Sequence, residues 1–398
     1  MAEGTREVWV TGIGIVSCLG EGPDAHWQKL MEAKPVADTT AFAPFVVHPL
    51  APINFDAQIP KKGDQRQMEN WQRIGTYAAG LALDSAGVKG KTDILSHMDM
   101  IVAAGGGERD LTVDSNILSG IAHAANPAAF LNERLMSDLR PTLFLAQLSN
   151  LLAGNISIVH GVTGSSRTFM GEESAGFDSV RIAHARIGAG QSDIALVGGS
   201  YNGERPDLLM LYEFAGLALK NKYAPVWERG DGNSGFALAS LGAFLVIEAR
   251  DHAERRGAKP LGRLVAVISD RANRQPGTIT QTLSRLWDRL KGQINTNRAA
   301  VLSGATGSNP ATAEERAFFE AHPDLAVRAT GSYLGHGMEP QFVINIALAT
   351  VALDHGSLFP PCDSTGLERP MSGDLSQVLV TGVGHWRGEG LALIERIG

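Results

Sequence analysis

The feature that most constrains the fold is an apolar segment that ends in glycines and is followed by a helical pattern. The segments EVWVTGIGIVS (7–17), MIVAAGGG (100–107) and DIALVGGS (193–200) share this form. Such apolar runs are typical of buried parallel strands. Between them, residues 73–87 and 173–190 place apolar side chains at helical spacing and end in glycine, as many helices do. This alternation predicts an α/β fold.

The second half of the chain repeats the alternation of strand and helix patterns. Its segments are, in order, LGRLVAVISDRA, RAAVLSGATG, VINIALATVALDHG, SQVLVTGVG and GLALIERIG. A chain of 398 residues is too long for one small core, so two fused units or one large α/β body are expected. Because no low-complexity linker separates the two series, we expect two joined halves, residues 1–252 and 253–398.

The charge balance and the start of the chain argue against several classes of protein. A formal net charge of -7 disfavours a nucleic-acid-binding protein, which normally has a basic face. The first residues show no basic stretch followed by an apolar one, and no apolar run is long enough to span a bilayer. We therefore expect a cytoplasmic protein without membrane insertion.

The motifs predict neither a metal nor a cofactor. Cys18 and Cys362 are far apart in the sequence, which argues against a disulfide framework and predicts two buried, unreactive thiols. The eleven histidines show no metal-ligand spacing. The opening GIGIVS (12–17) is similar to a dinucleotide-binding fingerprint, but Ser17 replaces the third glycine.

The segment GVTGSSRTFMGEESAG (161–176) has the form of a loop that brings a nucleophile to the start of a helix. It holds adjacent carboxylates, Glu172 and Glu173, and no cysteine. The partial positive charge and free N–H groups of a helix N-terminus suit either a thiolate or a carboxylate. A glycosidase pair is disfavoured, because adjacent residues on a helix start point in different directions and cannot straddle one bond.

Several segments together resemble one enzyme family. They are VWVTGIGIVSCLG, PTLFLAQLSNLLAGNISIVHGVTG, DIALVGGS and EARDHAERRGAKP, and they cover nearly the whole chain. They resemble the β-ketoacyl-acyl-carrier-protein synthases of the elongating type. The resemblance implies a thiolase-like, duplicated fold with five layers in the order αβαβα.

The resemblance places Glu173 where the family has its nucleophilic cysteine. In the family this cysteine follows a GVTG-like glycine by nine residues and precedes a glycine pair by 25 residues. Counting forward from Gly164 and backward from Gly198 both lead to Glu173. Because a carboxylate is a far weaker acyl acceptor than a thiolate, the resemblance implies that this chain does not catalyse condensation by itself.

The two histidines of the family's decarboxylation chemistry are only half retained. The loop SGATGSNP (303–310) matches the first and has Ala305 in its place, which cannot donate a hydrogen bond. The segment YLGHG (333–337) keeps the second as His336. Gly331 matches the lysine that usually precedes this histidine, and bulkier Glu339 and Phe342 match glycines after it.

Further positions that the resemblance assigns concern the acyl channel and its partners. The glycine-rich gating loop matches GVGHWRG, where bulky His385 and Trp386 predict a stiff or blocked gate. Residues 141–164 match a dimer segment whose strand pairs with its twin. The side chains that would help set acyl chain length are Leu143, Phe144 and Gln147, with plain dimer packing as the alternative.

The family docks its acyl carrier protein on a basic stretch, which matches KKGDQRQMEN in this chain. Lys62 and Arg66 are retained, whereas Gly63 and Gln67 replace two cations, so weaker docking is expected.

The sequence therefore predicts a subunit like a chain-length factor, without condensing activity of its own. It would pair with an active ketosynthase homologue and an acyl carrier protein in fatty-acid or polyketide elongation. Analogy suggests very long acyl chains such as those of bacterial lipid A. Two alternatives stay open: an acyltransferase or malonyl decarboxylase with residual activity, and a homodimeric acyl-binding scaffold.

Structural roles also stay open for the central residues. Glu173 would stabilise a helix start by roughly 0.3–1 kcal/mol if it were an ordinary capping carboxylate. His336 is as well explained by burial against backbone groups as by an acyl contact. His160 and His184 are expected in the core or at a dimer interface.

Overall fold

The computed structural model describes residues 5–139, 145, 147–230, 232–371 and 373–397. The strands in these residues form a two-stranded sheet of β3 and β7 and one large sheet. The strands are β1 (Val8–Ser17), β2 (Gly20–Glu21), β3 (Val47–His48), β4 (Asp99–Ala103), β5 (Ser166–Phe169), β6 (Ile194–Tyr201), β7 (Leu238–Ala239), β8 (Leu241–Ala249), β9 (Gly262–Asp270), β10 (Ala299–Ser303), β11 (Ala326–Ala329), β12 (Gln377–Val383) and β13 (Glu389–Glu395).

Fourteen α-helices lie in the same residues and cover the large sheet. They are α1 (Gly22–Met31), α2 (Lys62–Gln67), α3 (Asn70–Ser85), α4 (Thr92–Leu95), α5 (Leu111–Ile121), α6 (Pro127–Ser137), α7 (Leu151–His160), α8 (Glu173–Gly188), α9 (Pro206–Phe214), α10 (Arg250–Arg256), α11 (Thr278–Leu290), α12 (Ala311–Glu320), α13 (Gly331–Leu334) and α14 (Gln341–His355). None of the helices in the described ranges is long and apolar enough to cross a membrane.

The large sheet consists of two sets of five strands with the same order. The first set runs β5-β4-β6-β8-β1 and the second β11-β10-β12-β13-β9, so each strand of one set has a counterpart in the other. Strands β1 and β9 join the sets through two residue pairs, Trp9 with Arg263 and Val10 with Gly262. The repetition agrees with the predicted duplicated architecture.

The helices form three layers around the two strand sets. Helix α3 packs on β1 and β8, helices α8 and α14 pack between the two sets, and α11 with α12 covers the outer face of the second set. The predicted thiolase-like fold with five αβαβα layers is confirmed. The middle layer carries α14, in which every residue from Gln341 to Leu353 is buried, as expected for a helix that is apolar on all sides.

Glycines on β1 allow the outer layer to approach closely. A Cβ atom on Gly12 would lie 2.5 Å from the carbonyl oxygen of Ala82, and one on Gly14 would lie 2.0 Å from that of Ala78. Only glycine fits where α3 crosses the strand at this distance. The glycines in the opening segment therefore serve helix packing.

The structure corrects two predictions about strands. Segment 7–17 was predicted as a parallel strand, but β1 is antiparallel to both β8 and β9. An apolar run indicates burial on both faces and carries no information on strand direction. The dimer strand predicted within 141–164 is also wrong for the described part of that segment, where α7 spans Leu151–His160 and the edge strand is β5, two residues further on.

Candidate active site

Glu173 is the first residue of α8, and the turn before it is sharply constrained. Gly171 has a φ of 129°, and Glu172 has φ 55° and ψ -138° although it is not a glycine. The hydroxyl of Ser174 donates to the carbonyl of Gly171 at 2.6 Å and closes this turn. Such backbone angles are found where the surrounding structure holds a functional side chain in place. The turn directs the Glu173 side chain into the interior, where the residue is 4% exposed.

Two histidines from distant parts of the chain hold the Glu173 carboxylate. His336 Nε2 lies 2.7 Å from Oε1. His385 Nδ1 lies 2.9 Å from Oε1 and 3.1 Å from Oε2. Because an ionised carboxylate only accepts hydrogen bonds, both imidazoles donate to it. The arrangement is a His–Glu–His bridge in which both oxygens of the Glu173 carboxylate accept hydrogen bonds.

The backbone around His336 explains why its ring faces Glu173. Its amide donates to the carbonyl of Ala237 at 2.8 Å, and its carbonyl accepts from the amide of Ala239 at 2.9 Å. These bonds attach the turn after α13 to β7. The main chain is thus satisfied by backbone groups, whereas the imidazole is engaged by a carboxylate.

Burial and charge act in opposite directions on the bridge. Burial alone would raise the pKa of Glu173, but the positive charge of His385 and the hydrogen bonds from both histidines lower it well below the usual range. Burial alone would lower the pKa of His385, but the charge of Glu173 and its hydrogen bond raise it. Glu173 and His385 therefore stabilise each other's charged forms.

A second carboxyl group, Glu339, fills the space beside the bridge. It is 3% exposed, and its Oε2 atom has no hydrogen-bond partner in the described residues. Burial, with the charges of Glu173 and Glu172 added, raises the pKa of Glu339 to about 7. A Cβ atom on Gly105 would lie 2.7 Å from Oε1 of Glu339, so the side chain occupies the room that this glycine leaves.

Aromatic rings close the other side of the bridge. The ring of Phe236 lies 5.4 Å from the rings of both His336 and His385. The ring of Tyr212 from α9 lies 5.9 Å from that of His385. The charged bridge is therefore enclosed by apolar and aromatic groups, which strengthens its internal electrostatic interactions.

The loop 384–388 that carries His385 is held from outside by Arg274. The amide of Gly384 donates to the carbonyl of Gly388 at 2.9 Å. Arg274 Nη2 donates to the carbonyl of Gly384 at 2.7 Å and to that of Gly388 at 3.3 Å, while Nη1 pairs with Glu389. The loop is thus fastened to Glu173 on its inner side and to Arg274 on its outer side. Trp386, predicted as a substrate contact, lies at its tip and is 69% exposed.

Ala305 is buried in the loop after β10 and offers no side-chain donor. Its amide donates to Oγ of Ser303 at 3.0 Å. A Cβ atom on Gly331, which matches the family's lysine, would lie 3.1 Å from the Ala305 carbonyl. Ala305 and Gly331, the two positions where the resemblance predicts that functional side chains are missing, are therefore neighbours.

Neither cysteine replaces Glu173 in the candidate site. Cys18 Sγ lies 3.9 Å from His48 Nδ1 and 3.8 Å from the carbonyl of Tyr333. Burial raises the pKa of Cys18 to about 12 and that of Cys362 to about 11. In the described residues neither thiol has a contact with Glu173 or His336 that meets hydrogen-bond distance. No cluster of three or more ligating side chains for a metal ion occurs in these ranges either.

The family match is the observation that decides identity. The family described as β-ketoacyl synthase, N-terminal domain, matches residues 5–253. The chain belongs to the β-ketoacyl synthase family. The resemblance inferred from the sequence motifs is confirmed.

This ketosynthase-family chain is similar in sequence to several curated synthases. A 3-oxoacyl-[acyl-carrier-protein] synthase 2 of Vibrio harveyi is 26% identical over 271 residues, which cover 65% of this chain. A synthase of the same name from Rhizobium meliloti is also 26% identical, over 274 residues. In both comparisons the match spans 62% of the relative's length.

Among solved structures, the ishigamide ketosynthase/chain length factor superposes with a TM-score of 0.81 at 19% identity. It covers 99% of this chain and 100% of that chain. A type II polyketide synthase acyl-carrier protein in complex with its ketosynthase bound to the hexaketide superposes with a TM-score of 0.75 at 18% identity and the same coverage. At these identities the two structures establish the ketosynthase fold.

Lys62 and Arg66, predicted to dock an acyl carrier protein, belong to the exposed surface. Lys62 begins α2 and pairs with Asp56 at 2.5 Å, and Arg66 is exposed on the same helix. Gln147 is exposed before α7, whereas Leu143 and Phe144 lie outside the described residues. The structure thus brings Glu173, His336 and His385 of this ketosynthase-family chain together, and the predicted docking residues form a separate surface.

Sequence reasoning missed Arg274, Phe236 and Tyr212 as parts of the site. No spacing rule connects them with Glu173, because they come from the segment after β9, the segment just before β7 and helix α9. The sequence gave one partial indication for Arg274. It precedes the Pro–Gly pair of 276–277 by two residues, and this pair predicts a turn. Outside the bridge, His160 donates from Nε2 to the carbonyl of Thr76 and His184 donates from Nε2 to the carbonyl of Leu264.

Proposed function

We propose that this chain is a ketosynthase-like subunit without condensing activity, and that it serves an active partner. The observation that carries the proposal is the buried Glu173 carboxylate, hydrogen-bonded to His336 and His385, at the position predicted to hold the nucleophile. A carboxylate with a strongly lowered pKa that is held by two donors is a poor nucleophile. Its negative charge also opposes entry of a malonyl carboxylate into the same enclosed space.

The chamber behind the nucleophile position supports the same proposal. Glu339 fills the space beside Gly105, and the loop that carries His385 is closed over Glu173. Ala305 provides no donor for a thioester carbonyl, whereas stabilisation of an enolate needs such donors. These features favour the subunit reading over the alternative of a malonyl decarboxylase with residual activity.

A partner surface is suggested by exposed apolar side chains concentrated in one stretch of sequence around β5. They are Leu118, Leu131, Leu135, Met136, Leu145, Leu148, Ile158 and Met170. Strand β5 itself lies at the end of the large sheet, where backbone donors and acceptors are free to pair. Large exposed apolar areas mark protein interaction sites. We infer that an active, cysteine-bearing ketosynthase homologue binds here and forms a heterodimer.

The finer parts of the proposal concern substrate and location. Leu143, Phe144 and Gln147 would help set acyl chain length in the partner's channel, in fatty-acid or polyketide elongation. Lys62 and Arg66 would contribute weak docking of an acyl carrier protein. We place the subunit in the cytoplasm, with very long acyl chains such as those of lipid A as the pathway suggested by analogy.

The absence of condensation is tested with acyl- and malonyl-loaded carrier protein. We expect no covalent acylation of the purified chain by mass spectrometry and no release of carbon dioxide. The matched variants are Glu173→Cys, which supplies a thiol at the same position, and Glu173→Gln, which removes the charge. Acylation or decarboxylation by the unmodified chain would overturn the proposal and favour the residual-activity alternative.

The pairing is tested by co-expression with a cysteine-bearing synthase that is encoded near this chain in the genome. We expect stable co-purification and a product of different chain length from that of the synthase alone. A homodimer that binds acyl chains and ignores the synthase would favour the scaffold alternative. Native mass spectrometry separates these two assemblies by mass.

A further inference from the structure

Strand β5, at the open end of the large sheet, carries an arginine whose charge has no partner. Arg167 of this strand is exposed. In the part of the chain that the structure describes, its side chain forms no ion pair and no hydrogen bond. Side chains on neighbouring strands interact across the ladder, so an unpaired cation at a free edge affects which second strand can pair there.

The acidic residues of the elements that pack closely against β5 are engaged by other groups. These elements are β4, α7 and α8. Asp99 of β4 and Asp178 of α8 each pair with an arginine of α8, at 2.9 and 3.1 Å. Glu173 accepts from the two histidines of the bridge, and α7 contains no acidic residue. The charge of Arg167 is therefore available to a binding partner.

The pairing of β5 with β4 determines which backbone groups of β5 face the open edge. The carbonyls of Ser165 and Phe169 accept from amides of the β4 segment at 2.8 and 3.0 Å. Because backbone groups point alternately to the two sides of a strand, the amide and carbonyl of Arg167 also face β4. Those of Ser166 and Thr168 face the open edge and can bind a further strand.

The side chain of Arg167 lies on the face of the sheet that α8 covers. Its neighbour in the ladder is Ile101, which belongs to the same core cluster as Phe177 and Val180 of α8. Two copies of the chain that met at this edge would be related by a two-fold axis, which makes the strands antiparallel. The same face of both copies then lies on one side, so both arginines project to that side.

Self-pairing of β5 would bring the two arginines together in either available register. Because Ser166 and Thr168 provide the free backbone groups of the strand, two antiparallel registers align three of its residues. One places Ser166 opposite Thr168, and Arg167 opposite its own copy. The other places Thr168 opposite its own copy, so the two arginines become diagonal neighbours roughly 7–8 Å apart. Like charges at such positions destabilise a strand pair.

We propose that β5 selects its partner by charge and pairs with a strand that has an aspartate or glutamate opposite Arg167. An opposite charge in a cross-strand pair stabilises the ladder, whereas a second copy of this chain presents a like charge. This inference rests on the proposed function, in which an active ketosynthase homologue occupies the β5 edge. Charge thus distinguishes a related subunit of the same fold from a second copy of this chain.

Charge reversal at Arg167 tests the selection with the full chain. We expect Arg167→Glu, mixed in equal amount with the unmodified chain, to form a mixed dimer. Its dissociation constant should be about tenfold lower than that of either chain alone. Arg167→Gln, which removes the like charge, should self-associate more tightly than the unmodified chain does. Sedimentation velocity at low ionic strength measures these constants, since salt screens exposed charges.

Arg255→Glu is the matched control for a reversed surface charge. Arg255 is 62% exposed on α10, which packs on β1 and β8, so its mixture with the unmodified chain should gain no affinity. An equal dissociation constant for the Arg167→Glu mixture and for the unmodified chain would overturn the charge selection. Self-association of the unmodified chain that Arg167→Gln does not strengthen would overturn it as well. Because Arg167 is exposed and forms no hydrogen bond in the described residues, its variants should fold.

Co-expression with the cysteine-bearing synthase separates the charge selection from the proposed function. If the synthase co-purifies with the unmodified chain but the Arg167→Glu mixture gains no affinity, the charge selection is wrong and the proposed function stands. If the mixture gains affinity but no synthase co-purifies, the charge selection stands and the proposed partner is wrong.

Discussion

At the scale of single residues, Glu173 shows what a carboxylate requires of its surroundings if it stands at the nucleophile position, as we propose. A thiolate at a helix start needs space for an acyl group, whereas a buried carboxylate needs donors. His336 and His385 supply these donors at 2.7 and 2.9 Å. The Glu173 carboxylate is therefore satisfied, and any acyl group that entered would have to displace one of its hydrogen bonds.

The bridge makes a prediction for stability against pH. The raised pKa of His385 gives a contribution that is complete below its ordinary value of 6.5 and is lost as pH rises through the folded value. The lowered pKa of Glu173 gives a contribution that is present above its ordinary value of 4.5 and is lost only in strong acid. Glu173→Gln should therefore lower the free energy of unfolding by about 3 kcal/mol near pH 6, and by less near pH 8.5.

Urea unfolding at these two pH values measures the effect. Glu254→Gln is the control, because Glu254 is exposed and pairs with Arg250 on the surface at 2.8 Å. Such a pair contributes at most about 1 kcal/mol. A difference between the unmodified chain and Glu173→Gln that stays constant across this range would contradict the coupling of Glu173 to His385.

The two thiols make a second prediction at the same scale. Thiolate, not thiol, reacts with iodoacetamide, and burial raises the pKa of Cys18 to about 12 and that of Cys362 to about 11. We expect both to react at least about a hundredfold more slowly near pH 7.5 than a free cysteine does. Intact mass before and after unfolding in urea measures this, and rapid labelling of the folded chain would contradict it.

The sequence placed Glu173 and His336 in one candidate site, and the structure brings them together, but the sequence did not indicate the hydrogen bonds between Glu173 and His385. Fixed spacing to Gly164 and Gly198 located Glu173, since such spacing survives when side chains change. The approach of His385 depends on how the loop 384–388 folds over α8, and a hydrogen bond between residues 212 positions apart leaves no local pattern. The same reason explains why Arg274 was missed.

At the scale of elements, patterning predicted helices and strands better than it predicted direction or register. The periods behind α3 and α8 are local properties of the sequence, and both helices form within a few residues of their predicted bounds. The direction of β1 depends on its neighbours β8 and β9, which come from other parts of the chain. The dimer strand was misplaced for a related reason, because an apolar run such as Leu151–His160 fits either a strand or a buried helix.

The loop 384–388 makes a prediction about local opening. Arg274→Ala removes the charged donor to the carbonyls of Gly384 and Gly388, so the amides of this loop should exchange with deuterium at least about tenfold faster. Hydrogen exchange read by mass spectrometry measures it. Arg271→Ala is the control, since Arg271 is in the same segment but is exposed and lies 3.7 Å from Asp178. Equal exchange in both variants would show that Arg274 does not hold the loop.

At the scale of the whole molecule, two α/β halves could be predicted from the sequence, but the way in which the halves pack together could not. Two similar series of strand and helix patterns indicated two α/β halves, and the structure arranges both series in the same order. The boundary at residue 252 stays a prediction. How the halves share a middle layer follows from the packing of α8 against α14, which the sequence of either helix alone does not determine.

Strand β5 makes the prediction for assembly. The carbonyls of Ser165 and Phe169 accept from the amides of Met100 and Ala104, so the amide of Thr168 faces the open edge. Thr168→Pro removes that donor and leaves the bonds to β4 intact. It should at least halve the fraction of this chain that is found in the proposed heterodimer with a ketosynthase. Thr168→Ala keeps the amide and serves as control. Sedimentation that is the same for both variants would exclude pairing through this edge.

The seam between β1 and β9 has a mechanical consequence. Only two residue pairs bridge the halves there, whereas β1 and β8 are matched along nearly their full length. A force that pulls the two strand sets apart would act mainly on the short pairing between β1 and β9. This pairing, at Trp9 and Val10, would therefore break before the strands within either five-stranded set separate. Resistance to such a force must come mainly from helices α8 and α14, which contact strands of both sets.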